Sequence, residues 1–129
     1  MAKEEIRQIK AFPDYYISNK GIVYTTRISP RYNPNGEMRV LRPRIRKGGY
    51  CYYGLYIGIG GLHNRRWKRG HRLVAEAFIG TIAPKMVVNH KNFIKTDNRV
   101  ENLEIVTSKQ NSQHYHSNKH KIKKYEMHN

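Results

Sequence analysis

Hydrophobic and polar positions alternate with a period of two through much of the first half of the chain. The segments 15–18 (YYIS) and 22–27 (IVYTTR) flank the turn 19–21 (NKG) and predict a β-hairpin, because Gly21 can adopt the positive φ of a tight loop. Further turns are predicted at 33–36 (NPNG), 47–49 (KGG) and 60–64 (GGLHN). The first half is therefore predicted to consist of short antiparallel strands.

Two of these predicted strands have faces of opposite character. In 39–47 the basic residues alternate with Leu41, Pro43 and Ile45, so the guanidinium groups should project from one face of an extended edge strand; they are Arg42, Arg44 and Arg46. In 50–59 an apolar set alternates with tyrosines; the apolar set is Cys51, Tyr53, Leu55, Ile57 and Ile59, and the tyrosines are Tyr50, Tyr52 and Tyr56.

The period changes to that of a helix over residues 71–80. Leu73 and Ala77 are four residues apart, as are Val74 and Phe78, so this segment is predicted to be a helix with an apolar stripe that packs on a sheet. Gly80 supplies its end. His71 and Arg72, at its start, are only weak candidates for phosphate contact.

A strand, loop, strand and helix follow. The strands are 86–90 (MVVNH) and 102–107 (NLEIVT), and the polar loop between them is 91–101. Residues 107–110 (TSKQ) fit a capping box, which predicts that a helix begins there. On that helix Asn111, His114 and Tyr115 share one face. This order of elements brings Asn89, His90 and Asn111 towards one locus.

Net charge is the strongest global signal. The 129 residues contain 25 Lys and Arg against 9 Asp and Glu, a net charge of +16, and only 38% are hydrophobic. Such an excess favours a polyanionic partner, with nucleic acid ahead of an anionic membrane surface or a charge that serves solubility alone. No segment is long and apolar enough to span a bilayer, and the charged start is unlike a secretory signal, so a soluble, cytoplasmic protein is expected. A single cysteine excludes an intramolecular disulfide.

The basic residues around the predicted strands are candidates for DNA contact. Two-stranded β-ribbons fit the major groove of duplex DNA, and this region has aromatic residues between its cations. The alternative is an ordinary solvated face whose tyrosines cover a small core. The DNA-binding candidates are Arg42, Arg44, Arg46, Arg65, Arg66, Lys68, Arg69 and Arg72.

Several ordered motifs resemble one known family. The segments FPDYYISNKGIVYTTR, HRLVAEAFIG, VVNHKN and KTDNRVENLEIVT are similar to the N-terminal NUMOD-type motif and the ββα-metal signature of HNH homing endonucleases, the phage intron-encoded enzymes of the I-HmuI type. The resemblance spans about residues 10 to 115. It implies an α+β fold, with an N-terminal antiparallel β region followed by a ββα-metal (HNH, His-Me finger) nuclease motif.

The resemblance also implies roles for four residues. Asn89 and Asn111 match metal ligands, His90 matches the general base, and Asn102 matches the middle asparagine that orients this histidine. The chemistry is consistent with these roles, because a neutral imidazole takes a proton near neutral pH and hard amide oxygens suit Mg²⁺ or Mn²⁺. An acceptor on Asn102 for the other N–H of His90 would fix its tautomer.

These expectations define a function and a domain organisation. Residues 1–70 are expected to bind DNA, 71–118 to form the nuclease and 119–129 to be a basic polar tail. The expected activity is metal-dependent hydrolysis of a phosphodiester in double-stranded DNA by a homing endonuclease, with one active site per chain favouring a nick. Specificity is either relaxed or supplied by a protein partner. The alternative is a non-catalytic nucleic-acid-binding module, with RNA association as one form of it.

Overall fold

The structure is a computed structural model that describes residues 3–57 and 64–119. Within these residues the chain forms three antiparallel sheets and two α-helices, which confirms the predicted α+β class. The first sheet has its strands in chain order: β1 (Ile6–Ile9), β2 (Phe12–Ser18), β3 (Val23–Thr25) and β4 (Arg39–Leu41). The predicted hairpin is present, since β2 pairs with β3 across the turn that contains Gly21, whose φ is 84°.

The second sheet carries the basic segment and leads directly into the first helix. It consists of β5 (Arg44–Ile45), β6 (Cys51–Tyr56) and β7 (Arg65–Arg69), in that order. Alternate residues of β6 are buried, as the period of two predicts. Helix α1 (Gly70–Phe78) begins at the residue after β7, so its orientation is tied to this sheet.

The third unit is the predicted strand, loop, strand and helix. Strand β8 (Met86–His90) pairs with β9 (Leu103–Thr107), and a 3₁₀ turn (Val100–Asn102) precedes β9. Helix α2 (Ser108–Ser117) follows. Its predicted capping box is formed, because the Thr107 side chain accepts from the Gln110 backbone N–H at 3.1 Å while Gln110 Oε1 accepts from the Thr107 N–H at 2.9 Å.

One hydrophobic core joins the three units. Helix α1 lies at its centre, with Val74 and Ala75 fully buried and contacts to strands of all three sheets. The buried apolar residues are Ile9, Phe12, Tyr15, Ile17, Val23, Cys51, Tyr53, Leu55, Leu73, Val74, Ala75, Val88 and Leu103. The N-terminal sheet also contacts the loop after β8, where the Val100 N–H donates to the carbonyl of Asn19 at 2.9 Å.

The single edge strand predicted over 39–47 is wrong. The segment divides into β4 and β5, which belong to different sheets, with Arg42 and Pro43 between them. Proline has no N–H to donate and its ring restricts the preceding residue, so a ladder is interrupted there. The predicted apolar face is divided as well, since Leu41 is partly buried against the core whereas Ile45 is 57% exposed.

Some predictions fall on residues that the structure does not describe. Ile59, most of the predicted turn at 60–64 and nearly all of the tail at 119–129 lie outside the described residues. Neither helix within the described ranges has the length and apolar character that crossing a membrane requires.

Candidate active site

The end of β8 brings the first two candidate residues into a partly polar environment. Asn89 and His90 are 8% and 5% exposed, and they pair across the sheet with Glu104 and Leu103. The Asn89 side-chain N–H donates to Glu104 Oε1 at 2.9 Å. This contact uses the amide nitrogen of Asn89 and leaves its carbonyl oxygen free to bind a ligand.

The imidazole of His90 makes its side-chain hydrogen bond to Asn98. His90 Nε2 lies 2.8 Å from Asn98 Oδ1, and both residues are buried. Burial raises the pKa of the Cys51 thiol, and the Asn98 side chain acts against this rise. The amide nitrogen of Asn98 lies beside Gly70, where an added Cβ would be 2.9 Å from it and 3.6 Å from Cys51 Cβ. The side-chain oxygen of Asn98 is therefore directed at His90. Nε2 then carries the proton, and Nδ1 is the basic nitrogen.

The contact predicted for Asn102 is wrong. Asn102 Oδ1 accepts from the Asn92 backbone N–H at 3.0 Å, while its nitrogen donates to Asn92 Oδ1 at 2.9 Å and to the Asp97 carbonyl at 2.8 Å. The reason is its position at the base of the loop, where it faces the loop backbone. The loop folds back over Asn102 and places Asn98 against the ring. Asn102 therefore holds the loop together, and its side chain makes no hydrogen bond to His90 among the described contacts.

An ion pair rigidifies the same loop. The guanidinium of Arg99 makes two bonds of 2.8 Å to the carboxylate of Asp97. The hydrogen bonds from Arg99, the largest effect, lower the pKa of Asp97 to about 2, so this carboxylate is ionised at any pH near neutrality. Asp97 also accepts from the Asn92 side chain at 2.8 Å, which joins the ion pair to the network around Asn102.

Two further aromatic rings pack beside His90. The rings of His71 and His90 have centroids 4.9 Å apart, and Tyr50 stacks on His71 with centroids 5.2 Å apart. His71 is the second residue of α1 and is only 5% exposed. The weak prediction that His71 contacts phosphate is therefore not supported by its position, because its side chain is enclosed by the two rings and the helix.

Burial keeps both imidazoles neutral. Burial, the largest effect, lowers the pKa of His71 to about 3; the neighbouring His90, whose protonation would add a second charge, and the cations Arg69 and Arg72 act in the same direction. Burial also lowers the pKa of His90, against the opposing effects of the Asn98 hydrogen bond and the Asp97 carboxylate. A buried imidazole that is neutral at pH 7 and has one nitrogen fixed as the donor has the properties of a general base.

Helix α2 completes a cleft in front of His90. The cleft has a volume of about 570 Å³, and Asn89, His90, Lys95 and Asn111 all line it. His114, whose role was not predicted, stacks on Phe93 with ring centroids 4.6 Å apart and lies 3.2 Å from the Lys91 carbonyl through Nε2. These contacts fix α2 against the loop after β8, and thereby fix the position of Asn111.

The donor set of the cleft fits a hard divalent cation. Asn89 and Asn111 present carboxamide oxygens, the kind of ligand that Mg²⁺ accepts while it retains water. No group of three or more His, Cys, Asp or Glu side chains in residues 3–57 and 64–119 has the arrangement of a metal site. The candidate donors in this cleft are the carboxamide oxygens of Asn89 and Asn111, which both line it. Glu104 adds a carboxylate behind Asn89, which places one negative charge next to this pair.

The predicted DNA-binding residues divide between different surfaces. Arg44, Arg46, Arg65 and Arg69 share the outer face of the second sheet with Tyr52, Tyr56 and Trp67. The guanidinium carbons of Arg44, Arg46 and Arg65 lie 5.5, 4.5 and 4.7 Å from the Trp67 ring centroid. This outer face is hereafter the basic face. The other four candidates lie elsewhere. Arg66 and Lys68 are on the opposite side of β7, Arg42 is in the short segment that connects β4 to β5, and Arg72 is on α1.

A glycine allows the basic face to form. A side chain at Gly54 would place its Cβ 3.2 Å from the Trp67 ring and 2.8 Å from the Arg65 side chain, so only glycine leaves room for this stack. Arg69 continues the face towards the cleft, since its guanidinium lies 5.9 Å from the centroid of Tyr50, a residue that lines the cleft.

Sequence reasoning missed Asn98, His71 and Glu104 as neighbours of the candidate residues. Glu104 could have been found, because pairing His90 with Leu103 fixes the register and places Glu104 opposite Asn89. Asn98 carries no comparable signal, since it is one of several amides in a polar loop. The position of His71 depends on how α1 packs across three sheets.

Comparisons with known proteins agree with this geometry. Residues 68–113 match the family model described as HNH endonuclease. The chain is 36% identical over 108 residues to an uncharacterized HNH endonuclease of Acanthamoeba polyphaga mimivirus, an alignment that covers 82% of this chain and 24% of that protein. It is 33% identical over 108 residues to DNA endonuclease I-HmuI of Bacillus phage SP01, covering 83% of this chain and 55% of that enzyme.

The fold is similar to a solved structure of the same phage enzyme, described as DNA binding and cleavage by the HNH homing endonuclease I-HmuI. The TM-score is 0.71 at 32% identity, and the match covers 88% of this chain and 58% of that one. This chain thus spans about a quarter of the mimivirus relative and little more than half of the phage enzyme. Residues 68–113, which contain β8, β9 and the first part of α2, therefore match a domain of the HNH endonuclease family, and the fold of the described residues is similar to that of I-HmuI.

Proposed function

We propose that this chain is a metal-dependent endonuclease that hydrolyses a phosphodiester bond of double-stranded DNA. The observation that carries the proposal is the buried imidazole of His90, with Nε2 held by Asn98 and with Asn89 and Asn111 lining the same cleft. Its similarity to I-HmuI, a homing endonuclease whose solved structure concerns DNA binding and cleavage, supports DNA as the substrate.

In the proposed mechanism His90 acts as the general base. Its Nδ1 takes a proton from the attacking water, and Asn98 Oδ1 accepts a hydrogen bond from Nε2–H that strengthens as the ring becomes positive. The carboxamide oxygens of Asn89 and Asn111 would hold a divalent cation, Mg²⁺ or Mn²⁺. Such a cation, when bound, offsets the charge that develops on the phosphate and the leaving oxygen. Glu104 holds the Asn89 amide in the orientation that leaves the carbonyl oxygen free.

DNA binding is proposed for the basic face and its continuation through Arg69 to the cleft. Arginines stacked on Trp67 and Tyr52 are pre-oriented with their N–H groups available for phosphate oxygens. We accordingly propose residues 1–70 as the DNA-binding region and 71–118 as the nuclease region. The described residues contain one cleft that is lined by Asn89, His90 and Asn111, and a single active site of this kind favours a nick by a monomer. Homing to a defined site is the biological role that the resemblance suggests.

Cleavage of supercoiled plasmid tests the proposal. Wild-type protein with Mg²⁺ or Mn²⁺ is expected to produce open circles, and chelation is expected to prevent this. His90→Ala should abolish nicking. Its affinity for duplex DNA, measured by fluorescence anisotropy at fixed salt, should stay within about threefold of wild type, because the basic face is unchanged. Plasmid left intact by the wild type over a range of metals and salts would refute the enzyme and favour the non-catalytic binding module.

A further inference from the structure

Lys95 occupies the cleft without a role in the mechanism above. It lines the same cavity as Asn89, His90 and Asn111. A Cβ built on Gly49 would lie 3.5 Å from Lys95 Cδ, so the aliphatic stem runs along the glycine backbone of the turn before β6. Its Nζ lies 4.9 Å from the centroid of the Tyr50 ring. The stem and the ring together hold the ammonium group over one wall of the cleft.

Lys95 has no ion-pair partner among residues 3–57 and 64–119. In the part of the chain that the structure describes, the ion pairs join Arg7 to Glu5 and Arg99 to Asp97 and Glu101, and none involves Lys95. The positive charge of Lys95 is close enough to His90 to add to the effect of burial, which lowers the pKa of His90. A cation held by an aromatic face and a glycine turn, with no carboxylate partner, is available to an anionic ligand.

The chemistry of hydrolysis supplies such an anion. A phosphodiester carries one negative charge, and attack by a deprotonated water adds a second as the transition state forms. The amides of Asn89 and Asn111 bring no charge of their own, and the neutral imidazole of His90 becomes positive only as it takes the proton. A fixed cation that contacts a non-bridging oxygen is worth most when this second charge develops, because its position is set beforehand.

We propose that Lys95 is a further catalytic residue whose ammonium group contacts a non-bridging oxygen of the scissile phosphodiester and offsets the charge of the transition state. The inference rests on the proposed nuclease function and assigns it a substrate contact on the wall of the cleft formed by Gly49 and Tyr50. The guanidinium of Arg69 lies over the same tyrosine, between this contact and the basic face that is proposed to bind the DNA phosphates.

Single-turnover nicking of plasmid tests the role of Lys95. Lys95→Met keeps the aliphatic stem against Gly49 and removes only the charge, and Lys95→Arg keeps the charge. The matched control is Lys85→Met, an equal change of net charge at an exposed residue before β8, at the opposite end of that strand from His90. The quantities measured are the nicking rate at saturating protein and the protein concentration that gives half that rate.

The expected result separates the rate from the affinity. Lys95→Met should lower the saturating rate by about 10- to 100-fold with a half-saturating concentration within about threefold of wild type, since the contact strengthens in the transition state. Lys95→Arg should recover most of the rate, and Lys85→Met should match wild type. Thermal unfolding of all variants should agree, because the stem of residue 95 is retained.

Three outcomes would overturn the inference. A saturating rate for Lys95→Met equal to that of Lys85→Met would remove Lys95 from catalysis while leaving the proposed nuclease intact. A rise in half-saturating concentration alone would reduce Lys95 to a ground-state phosphate contact and refute the transition-state role. Absence of nicking by wild type would refute the nuclease function itself. This outcome differs from the first one, in which the wild-type protein nicks the plasmid.

Discussion

Replacement of Asn98 tests the contact that sets the general base. Asn98→Ala removes the acceptor for Nε2–H of His90, 2.8 Å away in a buried site. A hydrogen bond to a charged group contributes about 1.5 to 3 kcal/mol, and His90 is charged once it has taken the proton. The neutral ring already makes this bond, which is then worth about 0.5 to 1.5 kcal/mol, so only the increase of about 1 to 1.5 kcal/mol affects the barrier. Since about 1.36 kcal/mol corresponds to a tenfold change in rate, the nicking rate should fall by about 5- to 13-fold. Asn102→Ala is the comparison, because it removes an amide that does not touch the ring.

An isosteric change at the same position predicts a shift in pH dependence. Asn98→Asp keeps an acceptor near Nε2 but adds a negative charge, which favours the imidazolium and raises the pKa of His90. In the wild type this pKa lies below its ordinary value, so the base is neutral at pH 7 and activity declines only as the pH falls through the lowered pKa. In the variant the decline should begin at a higher pH, with the rate at alkaline pH largely retained.

The assay is the single-turnover nicking rate from pH 5 to 9 for the wild type, Asn98→Asp, Asn98→Ala and Asn102→Ala. Asn102→Ala is expected to lower the unfolding temperature, because three hydrogen bonds of the loop are lost, but to keep the acid limb of the wild type. If the acid limb moves in an Asn102 variant and stays in place in Asn98→Asp, then Asn98 does not set the base and the assignment from the structure is refuted.

Three further predictions concern the residues behind the site. Glu104→Ala should raise the Mg²⁺ concentration for half-maximal nicking by about tenfold, since it frees the Asn89 amide, and an unchanged metal titration would contradict this. The pKa of His71, about 3 in the folded protein, predicts that the free energy of unfolding falls below pH 6.5, where only the unfolded chain protonates this residue. His71 should contribute about 1.3 kcal/mol to the loss between pH 7.5 and 5.5 in urea titrations; the loss should be smaller by this amount in His71→Phe, while the contribution of His90, whose pKa is also lowered, remains. An equal loss in wild type and His71→Phe would contradict this. Gly21→Ala should lower stability by about 1 to 3 kcal/mol and reduce nicking more than duplex binding, because φ is 84° and the added Cβ would lie 2.9 Å from Asn98; nicking equal to wild type would contradict it.

Local patterns predicted the elements of the fold more fully than their arrangement. The period-two pattern of β6, the stripe of α1 and the capping box of α2 are each encoded within a few neighbouring residues, and the structure confirms them. The division of 39–47 depends instead on which partner strands are available on each side of Pro43. That information is not local, and a continuous strand satisfies the same alternation of residues.

For the candidate site, the sequence predicted which residues lie near one another, but it did not predict the hydrogen-bond partner of His90. Asn89, His90 and Asn111 line one cleft, as the order of strand, loop, strand and helix predicts. The partner of His90 was assigned to Asn102 because that residue matches the family pattern. The choice between Asn102 and Asn98 is made by the conformation of a twelve-residue loop between His90 and Leu103, and no period in the sequence encodes it.

The environment of Asn98 shows why His90 depends on more than the ββα unit. The backbone of Asn98 lies against Gly21, in the turn between β2 and β3, and its side-chain amide lies against Gly70 at the start of α1, next to Cys51 of the second sheet. A side chain at either glycine would come within 2.9 Å of Asn98. Contacts from both preceding sheets therefore orient the amide that fixes the tautomer of His90. The domain boundary predicted between residues 70 and 71 stays a prediction. The contacts that orient Asn98 and thereby His90 cross this boundary, so we expect the site to form only when all three sheets are folded.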